Sequence, residues 1–453
     1  MPSAEDAPVS DAEAATLFAP LRDRAGLVLA VSGGPDSSAL LVLYARARDR
    51  DPRLPPATVV TVDHRLRPEA ADEARLVAAL AARHGLSHRT LVRDGETPRG
   101  DLQAAARRAR YGLLVDAARD AGFDTVVTAH HADDQAETFL SRLARGSGVV
   151  GLAAMAPRRP IDGLVLARPF LGLPGARLRA TLVAAGETWV EDPSNHDRRF
   201  GRVRLRAAAP LLTDIGLTRE RLVATARAMA RAAAAIEREV EATAAVAVAV
   251  HPAGWATIRP DILADRAEEV RLRLLSRVIR AIGGAPYGPR LEAVEAAAAA
   301  FAAAGATGIV PARTLGGVRL EQRRGRIWIA AEPGRGAGTT LRLEPGGSGR
   351  WCGRRIDLGR EAPRPVTIAR LGAAGRCRLA AAGGVGCPGE TPPPAAVIES
   401  APAVFVDGAL AACPGLGFVE PAAAAVCGHL TIAPIDLGFA APTAPGEPPR
   451  TER

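Results

Sequence analysis

A chain of 453 residues is too long for one ordinary domain and predicts two or three, each with its own core. Its formal net charge of +9 is carried by arginine alone, since none of the 58 basic residues is lysine, and an excess of guanidinium groups favours a polyanionic partner such as a nucleic acid. The acidic opening "MPSAEDAPVSDAEAATLFAPL" lacks the basic start of a signal peptide, and no apolar run approaches a membrane span, so a cytoplasmic protein with no membrane attachment is expected.

In chain order, the first element is the apolar run Leu27 to Val31, which has the length and composition of a buried parallel strand. It ends in "SGGPDS", and from Ala39 onward apolar residues recur at helical spacing, so a tight Gly-rich turn joins strand to helix. Further strand-like runs, Thr58 to Val62 and Thr125 to Thr128, alternate with helical patterns near Ala70 to Arg83, Leu102 to Ala121 and Ala136 to Leu143. That alternation predicts an α/β domain over residues 1–215 built on a doubly wound parallel sheet. Residues 216–334 predict a helical domain, with a long helix from Thr218 to about Val250 presenting Leu222, Met229, Ile236 and Val240 on one face, then Ala267 to Ile282 and Leu291 to Ala304. The Gly-rich "AAEPGRGAGTTLRLEPGGSGRW" marks a linker near residue 335. Beyond it, short apolar runs between Gly and Pro predict a small β-rich domain over 335–439, followed by a disordered tail, 440–453. Cys352, Cys377, Cys387, Cys413 and Cys427 all lie in this last quarter; their odd number and the lack of a C-x-x-C pair predict reduced thiols.

Three polar segments stand at the C-terminal ends of the three predicted strands: "SGGPDS", "DHRLRPE" and "AHHADDQAET". Ligands of open α/β sheets bind at that edge. The glycine turn exposes backbone N–H groups at a helix N-terminus, where the dipole also favours a phosphate. It is neither G-x-G-x-x-G nor a Walker A loop, which needs a lysine this chain does not have. Ser32 and Ser37 add hydroxyl donors, whereas Asp36 would repel phosphates unless a cation lies between them, which implies Mg²⁺ or a direct catalytic role. In the third segment the spacing of His130, Asp133, Asp134 and Glu137 places them on one face of a helix opening. Helix capping alone accounts for acids there, and a metal-dependent hydrolase accounts for the whole segment but leaves the glycine loop unexplained. Arg107, Arg108 and Arg110 precede Tyr111 in a pattern that a solvated helix face also gives, whereas Arg198, Arg199, Arg202, Arg204 and Arg206 crowd around Phe200, a composition suited to RNA phosphates and a stacked base.

Together these residues resemble the N-type ATP pyrophosphatases, whose S-G-G-x-D-S signature is met in full by Ser32 to Ser37. A finer resemblance, to the tRNA(Ile)-lysidine synthetases, is carried by "VDHRLRPEAADEA", "AARRARYGLL", "TAHHADDQAETFLSRLARGSGVVGLAAM", "RPFL" and "WVEDPSNHDRRFGRVRLR", which cover most of residues 27–212. It includes the pattern H-x-x-D-D-x-x-E-T at His130, Asp133, Asp134, Glu137 and Thr138. Where that family often carries Arg-Asn, this chain reads Gly201-Arg202.

The resemblance implies an adenine nucleotide α-hydrolase-like fold, ATP as a substrate with Mg²⁺, and, as partners, free L-lysine and a tRNA(Ile) with a CAU anticodon; it also allows for a homodimer. ATP would adenylate the oxygen on carbon 2 of the wobble cytidine, and lysine would then displace AMP. The site expected on this basis places Ser32, Gly33, Gly34, Pro35, Asp36, Ser37, Asp63, His64 and His130 around ATP. Asp36, Asp133, Asp134 and Arg110 are the expected catalytic groups, Asp36 and Asp134 also holding the metal, and Arg198, Arg199, Arg202, Arg204 and Arg206 would meet the tRNA. A tRNA thiolase with the same loop would need a cysteine near the sheet edge, and none precedes Cys352. A glutaminase-coupled synthetase meets the same objection, while a plain RNA-binding protein leaves the convergent carboxylates without a purpose.

Overall fold

The computed structural model describes residues 7–63, 70–92, 102–191, 201–285, 288–332, 340–383 and 391–438. The chain divides into two compact units, Met1–Ala233 and Ala234–Arg453. The first carries α1 (Asp11–Phe18), β1 (Leu27–Ala30), α2 (Pro35–Arg50), β2 (Ala57–Asp63), α3 (Ala70–Arg83), β3 (Ser87–Val92), α4 (Leu102–Asp120), β4 (Thr125–Val127) and α5 (Ala132–Leu143). It continues through α6 (Val149–Leu152), β5 (Arg158–Ile161), β6 (Leu164–Ala167), α7 (Gly175–Ala184) and α8 (Gly201–Asp214) into α9 (Arg219–Ala247).

Six strands form one sheet in the order β3-β2-β1-β4-β6-β5, parallel throughout except for β5, which pairs antiparallel with β6. Strand β1 is buried on both faces because its side chains alternate. Leu27 and Leu29 join Phe18, Leu40, Val77 and Leu178 in one core, covered by α1, α2, α3 and α7. Val28 and Ala30 join Leu114, Val115 and Val126 in the other, covered by α4. From β1 the order runs one way to β2 and β3 and the other way to β4 and β6, so strand order reverses between β1 and β4. The carboxyl ends of those two strands therefore open the crevice where such sheets bind ligands.

The doubly wound sheet expected from the sequence is present, and β3 is the strand it concealed: "SHRTLV" lies at the sheet edge, largely exposed, so no apolar run announces it. The first unit also runs past residue 215, since Leu222 and Ala226 of α9 bury themselves with Ala136, Phe139 and Ala154.

Residues 216–334, most of them in the second unit, differ from the helical domain expected. Besides α9, α10 (Pro260–Ala264), α11 (Glu268–Gly283) and α12 (Leu291–Ala304), they hold an antiparallel sheet of β7 (Val248–Val250), β8 (Trp255–Ile258), β9 (Val310–Leu315), β10 (Val318–Arg323) and β11 (Arg326–Ala331), ordered β7-β8-β11-β10-β9. Charge hid the hairpin: "EQRRGRI" reads as a polar stretch, yet Arg324 (φ 54°) and Gly325 (φ 69°) form a two-residue turn of the left-handed kind that matches strand twist.

A second antiparallel sheet comprises β12 (Thr340–Leu343), β15 (Val366–Arg370), β16 (Pro402–Val406), β17 (Ala409–Cys413) and β18 (Phe418–Val419), and a third β13 (Ser348–Trp351), β14 (Arg354–Leu358) and β19 (Leu430–Ile432). The short helices Gly372–Ala381, Ala395–Glu399 and Ala424–Cys427 complete this β-rich part. Residue 335 does not separate two cores, because Trp255 and Trp328 bury against Leu371, Leu379, Val397 and Ala403. Cys352, Cys377, Cys413 and Cys427 are free thiols, and burial pushes that of Cys413 up to about 12. Cys387 and the tail 440–453 lie outside the described residues. Among the described residues no helix is long and apolar enough to cross a membrane.

Candidate active site

The loop after β1 turns at Gly33, whose φ of +87° is a conformation that side chains with a Cβ rarely adopt. Its carbonyl accepts hydrogen bonds from the Val190 N–H at 2.9 Å and the Ser38 hydroxyl at 3.3 Å, which pin the loop from both sides. Ser37 Oγ accepts from the Ser32 N–H at 3.1 Å and donates to the Gly34 carbonyl at 3.0 Å. Gly34 is the N-cap of α2 and offers no side-chain cap, and Pro35 occupies the first turn with its fixed φ. The first turn of this 16-residue helix thus presents N–H groups that no N-cap side chain satisfies, together with the positive end of its dipole.

The neighbouring loop, after β4, begins α5 at Ala132, four positions earlier than apolar spacing indicates, because His131 is extended (φ −125°, ψ −174°) and serves as N-cap. Asp134 closes the other half of the cap, its Oδ2 accepting from the His131 N–H at 3.1 Å. His130 consequently lies ahead of the helix, its Nδ1 2.9 Å from Thr128 Oγ1, and does not share a helix face with Asp133, Asp134 and Glu137.

His131 is the hub of the crevice. Its Nε2 lies 3.4 Å from Asp36 Oδ2 and 3.6 Å from Asp134 Oδ2, while its Nδ1 lies 3.0 Å from Asp133 Oδ2. A neutral ring could accept the Asp133 N–H, 3.3 Å from Nδ1, as an ordinary cap. Burial favours that neutral form, but hydrogen bonds to Asp133 and Asp36 and the charge of Asp134 outweigh it and push the imidazole up to about 10. Carboxylates from two loops thus favour the cationic form of the ring.

Those carboxylates differ in surroundings. Asp36 is about a third exposed and faces the crevice with the nearly buried Asp134. Asp133 turns away: it accepts the Gly175 N–H at 2.8 Å, and its Oδ1 lies 3.3 Å from Arg219 Nη1. Burial resists its ionisation, yet His131, Gly175 and Arg219 hold the carboxyl far below the usual range. From α8, Arg206 donates through Nε to Glu137 Oε1 and brings Nη2 within 3.8 Å of Asp134 Oδ1.

The structure thus brings Ser32, Gly33, Gly34, Pro35, Asp36, Ser37 and Asp134 to one crevice, with Asp63 at the end of the adjacent β2. Arg110 is half-buried on α4 and Arg204 is exposed on α8. His64, Arg198, Arg199 and the side chain of Arg202 lie outside the described residues. Arg206 departs from the expected nucleic-acid face, since its guanidinium is engaged with the α5 carboxylates. As for a metal, no group of three or more His, Cys, Asp or Glu side chains among the described residues is arranged to hold one. Asp36 and Asp134 offer two carboxylates beside the uncapped N-terminus of α2, a donor set that fits Mg²⁺, an ion bound through one or two carboxylates with phosphate oxygens and water.

The PP-loop domain family matches residues 7–211. Over 350 residues the chain is 46% identical to the tRNA(Ile)-lysidine synthase of Bradyrhizobium diazoefficiens, covering 73% of this chain and 96% of that one. The chain belongs to the tRNA(Ile)-lysidine synthase family. The synthase of Methylobacterium sp. is 47% identical over 314 residues, covering 68% of this chain and 90% of the relative, and that of Rhodopseudomonas palustris 55% identical over 218 residues, covering 48% and 63%. In this tRNA(Ile)-lysidine synthase family member the glycine loop and the acid pair are evident from local sequence, whereas the parts played by His131, Gly175 and Arg219 emerge only in the fold. The doubled histidine before two acids was a usable signal for the first. Gly175 and Arg219 lie 42 and 86 positions from Asp133, beyond any local spacing rule.

Proposed function

We propose that this enzyme joins free L-lysine to carbon 2 of the wobble cytidine in a tRNA(Ile) with a CAU anticodon, consuming ATP and acting in the cytoplasm. The cytidine 2-oxygen attacks the α-phosphorus of ATP and pyrophosphate leaves. The lysine ε-amine, after losing a proton, then forms a C–N bond at carbon 2 as the C–O bond to AMP breaks. The observation that carries this reading is the meeting of an uncapped helix N-terminus with Asp36, Asp134 and His131 at the point where strand order reverses.

In this reading the first-turn N–H groups of α2, with Ser32 and Ser37, hold the ATP phosphates, Asp63 and His64 are further ATP-binding residues, and Arg110 stabilises the departing pyrophosphate. Asp36 and Asp134 would hold Mg²⁺, which supplies charge neutralisation of the phosphates when bound. The buried carboxyls of Asp134 and Glu137 suit a cationic amine, since they already engage the guanidinium of Arg206. A thiolating enzyme is the weaker reading, because the first unit contains no cysteine to carry sulfur.

Incubation with radiolabelled lysine, ATP and the tRNA(Ile) transcript tests the proposal. Label in the tRNA with one AMP formed per lysine incorporated is the expected result, and folded protein that yields no labelled tRNA overturns it.

A further inference from the structure

We infer that Arg219 and Gly175 are positioning residues that act through Asp133 to fix the orientation of the His131 ring, and so the spacing of Asp36 and Asp134. The inference rests on the reading of the crevice as the site of ATP chemistry, and it reassigns Asp133 from the reacting groups to their support.

The geometry is that of a frame around one ring. Asp133 Oδ2 lies 3.0 Å from Nδ1 of His131, on the opposite side of the ring from the Nε2 that faces Asp36 and Asp134. A carboxylate with one anchor can swing about its χ angles, but this one has anchors on both oxygens: the Gly175 N–H holds Oδ2 at 2.8 Å, and Arg219 Nη1 stands 3.3 Å from Oδ1. Arg219 is itself steadied by Glu220, 2.7 Å from its Nη2. Gly175 also closes the ring's free side, because a Cβ there would stand 2.9 Å from His131 Cε1 and 3.2 Å from Asp133 Oδ2. That approach leaves no room for a side chain unless the imidazole moves.

Helix physics supports a role for Arg219 outside its own helix. It opens α9, and a cation in the first turn opposes the macrodipole, so its charge works against α9 locally. Glu220 offsets it within the same turn, and the arginine's partner on another element is Asp133. The first turn of α9 thus carries an arginine where it meets the carboxylate that holds the hub histidine. Such second-layer support governs rates because small misplacements of reacting groups are costly.

The test uses the full-length protein with ATP, lysine and the tRNA(Ile) transcript, measuring AMP release, KM for ATP and thermal melting. Arg219→Met and Asp133→Asn are each expected to lower kcat about ten-fold while changing KM for ATP little, and the double variant to be no slower than the slower single one. Arg219→Lys, which keeps the charge, should recover most of the rate, and Gly175→Ala should reproduce the kcat loss by moving the ring. Wild-type kcat in Arg219→Met overturns the inference, as does a drop in melting temperature with unchanged kcat, which leaves only a helix-capping role, or losses that multiply in the double variant. Should Arg219→Met not fold, Arg219→Lys and Gly175→Ala decide by the same criteria. Unmodified tRNA with the wild-type protein would instead mean that the proposed reaction is wrong, a result separate from these comparisons.

Discussion

Arg206 of α8 pairs with Glu137 of α5 and brings its guanidinium within 3.8 Å of Asp134, so an arginine in a dense basic cluster faces inward to the site. Replacing it with alanine removes a charge-assisted hydrogen bond from the buried Glu137 and a nearby cation from Asp134, a costlier change than losing a surface contact. Arg206→Ala should therefore reduce AMP formation by about 10- to 100-fold and leave the salt dependence of tRNA binding unchanged. Arg204→Ala, at an exposed position, should lower the salt slope by about one unit with a small effect on turnover. Filter binding over a salt series, paired with AMP release, distinguishes the two residues.

Asp36→Asn and Asp134→Asn should abolish AMP formation without unfolding the protein. An asparagine oxygen at position 134 can still accept the His131 N–H, so the α5 cap survives while the charge is lost. Asp36, about a third exposed, makes no cap that its replacement would break. Circular dichroism and melting curves like those of the parent, together with absent AMP, are the expected pair of results; near-parental turnover would make either residue structural.

Two neighbouring glycines should respond differently to alanine. At Gly33 a new Cβ meets only ordinary contacts, Val190 and Val77 at 3.5 Å, but the φ of +87° strains the backbone by about 1–2 kcal/mol. At Gly34, with φ −70°, only Ser32 Oγ lies near, at 4.0 Å. Gly33→Ala should melt earlier and bind ATP more weakly, whereas Gly34→Ala should keep its melting temperature. Equal melting of the two would show that the loop relaxes around position 33.

Acid stability should depend on Glu13. Arg177 hydrogen-bonds both its oxygens, at 3.0 and 2.9 Å, and with help from Ser10 lowers its carboxyl to about 2. A depressed carboxylate contributes stability that is complete above its ordinary value of 4.5 and is lost as pH falls from there through about 2. Arg177→Met should flatten that part of the stability profile in urea titrations. It should also loosen residues 7 and 8, whose carbonyls Arg177 holds at 2.9 and 3.2 Å, and proteolysis of the N-terminus would report it.

Truncation should follow the packing of α9. A chain ending at residue 215 lacks Leu222 and Ala226, exposing Phe139 and Ala136, and so should melt below a chain ending at Ala233. The reverse order of melting temperatures would place the end of the first folding unit before α9.

The local features of this protein were written in its sequence. An apolar run flanked by helical spacing predicts β1 and its partners, because a strand buried on both faces must be apolar throughout. The glycine turn was legible because positive φ and an uncapped helix start leave few residue choices. Lysine-free composition excluded a Walker A loop, and the absence of early cysteines counted strongly against a thiolase, by chemistry alone.

What the sequence could not determine was which way charged side chains turn. Asp133 and Asp134 are adjacent and chemically alike, and only the arrival of Gly175 and Arg219 on one side, and of Asp36 and Arg206 on the other, makes one a support and the other a crevice group. The same holds for Arg206 among its basic neighbours, and for Arg354, which is buried and donates to the Ala433 and Pro252 carbonyls. Backbone propensity acts over a few residues, whereas a charge settles where distant elements supply a partner and exclude water, and that placement exists only once the chain has folded.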